Sequence, residues 1–327
     1  SAYAVALQAY RHVIGKFPES PRAIQAYSGA ISTLFNMAFF HSQQQFAEQA
    51  FQLIDSVSIR FQNHPELPHL KYLEGLFYLE YYFDVDRAVD IFSDLLKATV
   101  IAPNRRDETI LKLGECYILK GKLNKALDIF NQVSTKPYQD DAALYSARVY
   151  YFQKEWKKSS QSLQNLVQQL GAAGDVVNDA LALQMKIAFS QSVPDILGSF
   201  SEAELLEYQR KNSEAVKKFS EITSRDSVPP VMKSESYLKA VKLSLELNEP
   251  LQAAEYCQKA ISDTDILPYT DKHLFLLAGI LKNSLNKPEE AYNIYLEILQ
   301  NYPNSLMADR ARDELRTMND IKGVEFP

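Results

Sequence analysis

One spacing constrains this chain more than anything else in it. Gly279, Asn286, Ala291, Tyr295, Ile298 and Pro303 repeat, at nearly the same offsets, the series Gly114, Tyr117, Gly121, Ala126, Phe130, Val133 and Pro137. These are the offsets of a helix–turn–helix unit of about 34 residues. One helix pair cannot bury its apolar face alone, so such units lean on their neighbours and stack. A chain written this way is a pile of helix pairs, not a globule around a catalytic cleft.

Small residues carry the register through the rest of the chain. Where two helices cross closely the side chain must be small, and Ala6, Ala47, Ala88, Ala126, Ser159, Ala215, Ala253 and Ala291 are the candidates. Four positions after each comes a larger apolar residue: Tyr10, Phe51, Phe92, Phe130, Leu163, Phe219, Cys257 and Tyr295. Three further on lie Val13, Ile54, Leu95, Val133, Leu166, Ile222, Ala260 and Ile298. An i, i+4, i+7 run is one face of a helix. The step from Ser159 to Ala215 is 56 residues, against 33 to 41 elsewhere. A lengthened or extra helix is therefore expected there, between Val176 and Ser192.

Proline follows the apolar-periodic segments at Pro18, Pro103, Pro137, Pro229, Pro268 and Pro303, and marks helix ends. No sustained β-branched alternation and no Asn-Gly or Asp-Gly turn occurs, so almost no strand is expected. Hydrophobic residues make up 46%, enough for a continuous core.

Residues 107–140 and 272–305 in particular resemble the tetratricopeptide repeat, and looser likeness covers the remaining chain. Departures are a one-residue insertion after Gly75 and Val241 where a small residue is usual. The resemblance implies an all-α, TPR-like α-solenoid, a right-handed superhelix of about eight helix pairs. It would run as N-terminal repeats over 1–170, the first lacking its first helix, continuous with C-terminal repeats over 171–327. Residues 1–17 read as the second helix of a unit, which suggests that the natural chain continues upstream.

The resemblance also implies function. First helices of successive pairs line a concave surface that binds an extended or helical peptide. Carried onto this chain, the groove positions include Tyr72, Glu115, Arg148, Tyr151, Glu204, Tyr208, Lys242 and Asn283, with Leu76, Leu79, Ile118, Leu144, Phe152, Leu238 and Leu276 between them. Aromatic residues beside isolated charges suit a peptide held by its backbone, with its side chains in shallow pockets. Few cations lie there, which argues against capture of a chaperone's C-terminal carboxylate. The expected protein is a non-enzymatic scaffold for a protein or peptide partner. The alternative is a structural or oligomerisation subunit.

Residues 295–313 and 10–27 are similar to the repeats of bacterial cell-envelope proteins of the outer-membrane assembly lipoprotein and Tol–Pal coordinator type. That likeness implies a periplasmic or outer-membrane-associated place, with the cytoplasm as the alternative.

Other chemistries find little support. A net charge of −6 and a pI near 5.5 give no electrostatic reason to expect nucleic acid. No stretch is long and apolar enough for a membrane span. Cys116 and Cys257 fall inside expected helices and read as small buried hydrophobes. His64 and His69 flank a proline-bearing segment, HPELPH, which lacks the i, i+4 helical geometry of HExxH, so no metal is assigned. There is no phosphate-cradling glycine loop and no GxSxG, hence no cofactor and no catalytic residue. Asp140-Asp141 and Glu289-Glu290 sit at expected helix starts, where the helix dipole favours negative charge. Trp156, in KEWKK, reads as packing under the next repeat, with a surface anchor for a partner as the alternative.

Overall fold

The structure, a computed structural model, describes residues 2–20, 22–41, 44–61, 64–98, 101–171 and 174–322. Among them every regular element is helical, and the residues form two compact units, Ser1–Gln184 and Met185–Pro327.

In the first unit the helices are α1 (Ala2–Lys16), α2 (Ala23–His41), α3 (Gln44–Arg60), α4 (Leu67–Glu80), α5 (Val85–Lys97), α6 (Pro103–Leu119), α7 (Leu123–Phe130), α8 (Tyr138–Phe152) and α9 (Trp156–Leu170). The boundary between the units falls inside α10 (Asp175–Ile187). The second unit holds α11 (Pro194–Tyr208), α12 (Asn212–Thr223), α13 (Pro230–Glu246), α14 (Pro250–Ser262), α15 (Thr270–Asn283), α16 (Pro288–Asn301) and α17 (Leu306–Lys322). The eight small residues fall one each in α1, α3, α5, α7, α9, α12, α14 and α16, the second or B helices of their pairs. Helix α10 is the extra element expected between Val176 and Ser192, and a 3-10 turn over Ala188–Ser190 follows it.

Burial explains the register. Ala47, Ala88, Ala126, Ser159, Ala215, Ala253 and Ala291 are all completely buried. Phe92, Phe130, Leu163 and Phe219, one turn later, fill the space beyond them. Each such side chain contributes roughly 1.5–3 kcal/mol by leaving water. Opposite Phe92 and Phe130 the first or A helix comes so close that a glycine stands there. A Cβ built on Gly75 falls within the ring of Phe92, and one on Gly114 within the ring of Phe130. Only α1 departs from the pattern, with Ala6 partly exposed and Val13 exposed.

The turns inside four pairs share one geometry. Gly121, Lys154, Arg210 and Asn248 each stand second in a three-residue link with φ between 55° and 68°. The next amide donates to a carbonyl five residues back: Lys122 to Tyr117, Glu155 to Tyr150, Lys211 to Leu206 and Glu249 to Ser244. This is the left-handed helix stop that closes open carbonyls. The carbonyl of that same residue then accepts the amide of Ala126, Ser159, Ala215 or Ala253, which starts the B helix.

Among the described residues prolines start helices more often than they end them, and Pro137 and Pro229 stand just before α8 and α13 rather than closing the helices upstream. Pro103, Pro194, Pro230, Pro250 and Pro288 each stand first in a helix, where the missing N–H costs nothing.

In the first unit the A helices α2, α4, α6 and α8 touch one another in order. No comparable contact joins the B helices α3, α5, α7 and α9 among the described residues. In the second unit α15 likewise meets α17.

Candidate functional site

The A-helix row of the first unit presents a band of half-buried polar groups. Lys112, on α6, reaches Glu80 of α4 at 3.1 Å and Glu115 of its own helix at 3.0 Å. Burial alone would lower its pKa. The two carboxylates outweigh burial and hold the ammonium above its ordinary value. Next along the row stands Tyr145 of α8, stacked on Phe130 with ring centres 5.5 Å apart. Burial raises its hydroxyl pKa, Glu115 adds to the rise, and Lys112 and Arg148 oppose it. The guanidinium of Arg148 lies 5.8 Å from the Tyr145 ring centre. One turn toward the helix starts, Arg105 pairs with Glu108 and lies over the ring of Tyr72. The Tyr138 hydroxyl donates to Glu108 at 2.6 Å.

The second unit has its own band. Lys186 of α10 holds Glu204 of α11 at 2.5 Å and Glu235 of α13 at 2.9 Å. Glu207 receives Lys239 at 2.7 Å and Lys242 at 3.5 Å. Lys282 of α15 pairs with Glu314 of α17.

These bands amend the sequence reading. Tyr151 is a core residue, 1% exposed, packed against Phe152 and Trp156, so its ring offers no surface to a partner. Tyr72 is buried as well, 9% exposed and set against Phe92, and burial pushes its hydroxyl to about 12. Leu79, Ile118, Leu144 and Phe152 are core rather than groove. Glu115, Glu204 and Lys242 are not isolated charges but members of ion pairs. Tyr208 is half-buried at the end of α11, and Asn283 is exposed at the end of α15.

The sequence reading missed Lys112, Tyr145, Lys186, Glu207 and Lys239. A signal for some of them was present. Glu80 and Lys112 are 32 residues apart, as are Glu207 and Lys239, and Lys282 and Glu314. Opposite charges 32 residues apart meet on neighbouring helices, several residues short of the 38-residue step from Ala88 to Ala126 and from Ala215 to Ala253.

The remaining motifs are structural. Asp140 and Asp141 lie in the first turn of α8, and Glu289 and Glu290 in that of α16. Both cysteines are fully buried, and burial raises their thiols to about 12. His64 accepts the Glu66 amide at 3.2 Å. Burial lowers the pKa of His69, whose Nδ1 lacks a hydrogen-bond partner among the described residues. Trp156 begins α9 half-buried and lies against Tyr151 of α8, within its own helix pair. No described helix is long and apolar enough to cross a membrane.

Comparison with known proteins places two of these helix pairs. The tetratricopeptide repeat family model matches residues 108–137 and 274–305, which are α6–α7 and α15–α16 with their turns. Those two segments are tetratricopeptide repeats, and the all-helical paired architecture around them is TPR-like. No curated protein matches the chain. Among solved structures, a tetratricopeptide repeat protein from Parabacteroides merdae ATCC 43184 is 14% identical, covering 84% of this chain and 98% of its own, with a TM-score of 0.38. The Cut9–Hcn1 hetero-tetramer of the APC/C is 11% identical over 96% of this chain and 52% of that one, with a TM-score of 0.35. The P58(IPK) TPR domain is 12% identical over 98% and 95%, with a TM-score of 0.29.

Proposed function

We propose that this protein is a non-enzymatic scaffold that binds a peptide or protein partner along its A-helix row, in the bacterial envelope. Tetratricopeptide repeats generally mediate contacts between proteins, and two lie in this chain. The observation that carries the reading is the ordered contact of α2, α4, α6 and α8. A helices that meet more closely than their B helices form the inner side of a local curve. Lys112, Glu115, Tyr145 and Arg148 lie along that side with their polar ends half-exposed. Lys112 and Glu115 are held by each other and Arg148 rests against the Tyr145 ring, so a partner meets a preordered surface and loses little side-chain entropy on it. The envelope assignment is supported by the likeness of residues 295–313 and 10–27 to envelope repeat proteins.

A photo-crosslinking residue in place of Arg148, and separately of Lys242, tests this in the native cell. The expected result is a crosslink to a second polypeptide, weakened at least fivefold by Tyr145→Ala in the same chain. Crosslinks to further copies of this chain alone would favour the structural-subunit reading instead. Fractionation of the natural full-length protein checks the location; recovery from the cytosol alone would overturn it.

A further inference from the structure

The ends of α2, α3 and α4 bring together an aromatic cluster that the A-helix band does not use. Its floor is Phe77, 1% exposed, with Phe35 stacked on it at 4.0 Å. Tyr81 stacks on the same Phe77 ring at 4.6 Å. Phe39 meets Tyr81 edge-on at 5.3 Å, and Tyr81 meets Tyr82 edge-on at 5.2 Å. Tyr82 lies over Phe51 at 6.0 Å and beside Tyr78 at 5.9 Å. Phe39 and Tyr82 remain 43% and 41% exposed, although burying them would be favourable. Rings held in place by other rings lose little entropy on binding, and such aromatics dominate protein interfaces.

The rim is acidic. Glu48 lies one helical turn before Phe51 on α3 and is exposed, and its carboxylate acts on Tyr82. It accepts the side-chain amide of Gln44 at 3.0 Å. Asp84 follows the turn after Tyr82, is exposed, and caps α5 through the Arg87 amide at 3.0 Å. Neither carboxylate pairs with a lysine or arginine among the described residues. Of the nearby cations, Arg87 lies 4.6 Å from the centre of the Tyr78 ring at the edge of the cluster, and Lys120 pairs with Asp86. Ring faces beside unneutralised carboxylates fit a guanidinium, which stacks on the one while bonding the other. The chain already makes half of that contact internally, with Arg87 on Tyr78 and Arg105 on Tyr72.

We propose that Phe39, Tyr81 and Tyr82, rimmed by Glu48 and Asp84, form a docking site for an arginine-bearing segment of a partner protein. The site lies at the ends of the A helices α2 and α4 and uses none of Lys112, Glu115, Tyr145 or Arg148, so Tyr145→Ala should leave it intact.

Fluorescence anisotropy with labelled eight-residue probes tests this, using Arg–Leu, Lys–Leu and Glu–Leu repeats on the intact protein. Saturable binding of the Arg–Leu probe is expected, with the Lys–Leu probe several-fold weaker and the Glu–Leu probe unbound. The double variant Phe39→Ala/Tyr82→Ala should lose at least tenfold in affinity, and Glu48→Lys at least fivefold, both with unchanged helical circular dichroism. Asp309→Asn, an exposed charge on α17, should bind as the parent does and so exclude a general attraction to an acidic protein. Equal binding of the Arg–Leu and Glu–Leu probes would overturn the proposal, as would folded variants that bind like the parent. So would light scattering that shows a dimer abolished by the double variant, which would make a second copy the occupant.

Discussion

Gly114 and Gly279 hold the same place in two repeats, twelve residues before Ala126 and Ala291, yet a methyl group at each should act in opposite directions. At Gly114 the new Cβ meets the ring of Phe130, itself buried and stacked on Tyr145, so the ring has nowhere to go. At Gly279 the nearest atom is the Tyr295 hydroxyl oxygen at 3.9 Å, an ordinary contact. Gly114→Ala should cost about 1–3 kcal/mol by overpacking, while Gly279→Ala should gain up to about 1 kcal/mol in helix propensity. Urea denaturation of the two variants checks both signs. His273 offers a second test. It is fully buried, Ser234 bonds its Nε2 at 3.1 Å, and its Nδ1 has no partner among the described residues. Burial lowers its pKa to about 4, below the ordinary value near 6.5. The unfolded chain therefore binds the proton more readily. Stability is full above about pH 6.5 and declines as pH falls toward 4, by up to about 3 kcal/mol. His273→Gln should flatten that window in denaturation curves taken between pH 7 and pH 4.

The shared turn makes its own prediction. Of the four left-handed positions only Gly121 is glycine; Lys154, Arg210 and Asn248 hold the same backbone with a Cβ. Relieving that strain is worth roughly 1–2 kcal/mol, from which glycine's greater freedom when unfolded subtracts part. Arg210→Gly should raise stability by about 0.5–1 kcal/mol, readable as a higher thermal midpoint. Those positions also show what the sequence concealed. Gly121 announces its turn, whereas a lysine or an arginine in the same conformation carries no such mark. The B helices were legible because two constraints coincide on them, a small residue at the crossing and a large one a turn later. The A helices carry no such pair, and a helix turns 100° per residue, so assigning their faces by family offset is fragile. On α8 that offset selected Tyr151, in the core, and passed over Tyr145, on the band. Arg148, one turn beyond Tyr145, is half-buried. The extra helix between Ser159 and Ala215 was legible from spacing alone, since 56 residues exceed what one pair can use.

At the scale of the molecule, the pattern of contact decides how damage spreads. Most helices touch mainly the next in sequence, and α2, α4, α6 and α8, like α15 and α17, also meet the next but one. Stability in such a chain is close to a sum of local terms and neighbour terms, so a local defect need not be felt everywhere. A compact globule with one cooperative core would respond differently, every slow amide speeding up by the same factor. Gly114→Ala separates the two cases, because its strain falls on α6, α7 and, through the Phe130–Tyr145 stack, α8. Native-state hydrogen exchange should show amides of α5 to α8 exchanging about tenfold faster or more, the factor that follows from a loss of about 1.4 kcal/mol or greater. Amides of α13 to α16, in the second unit, should keep their parent rates. The two predictions share one variant and one experiment, and a uniform acceleration across both units would contradict the neighbour-by-neighbour account. A gradient centred on α6 and α7 would instead measure, helix by helix, how far each contact in the row carries stability along it.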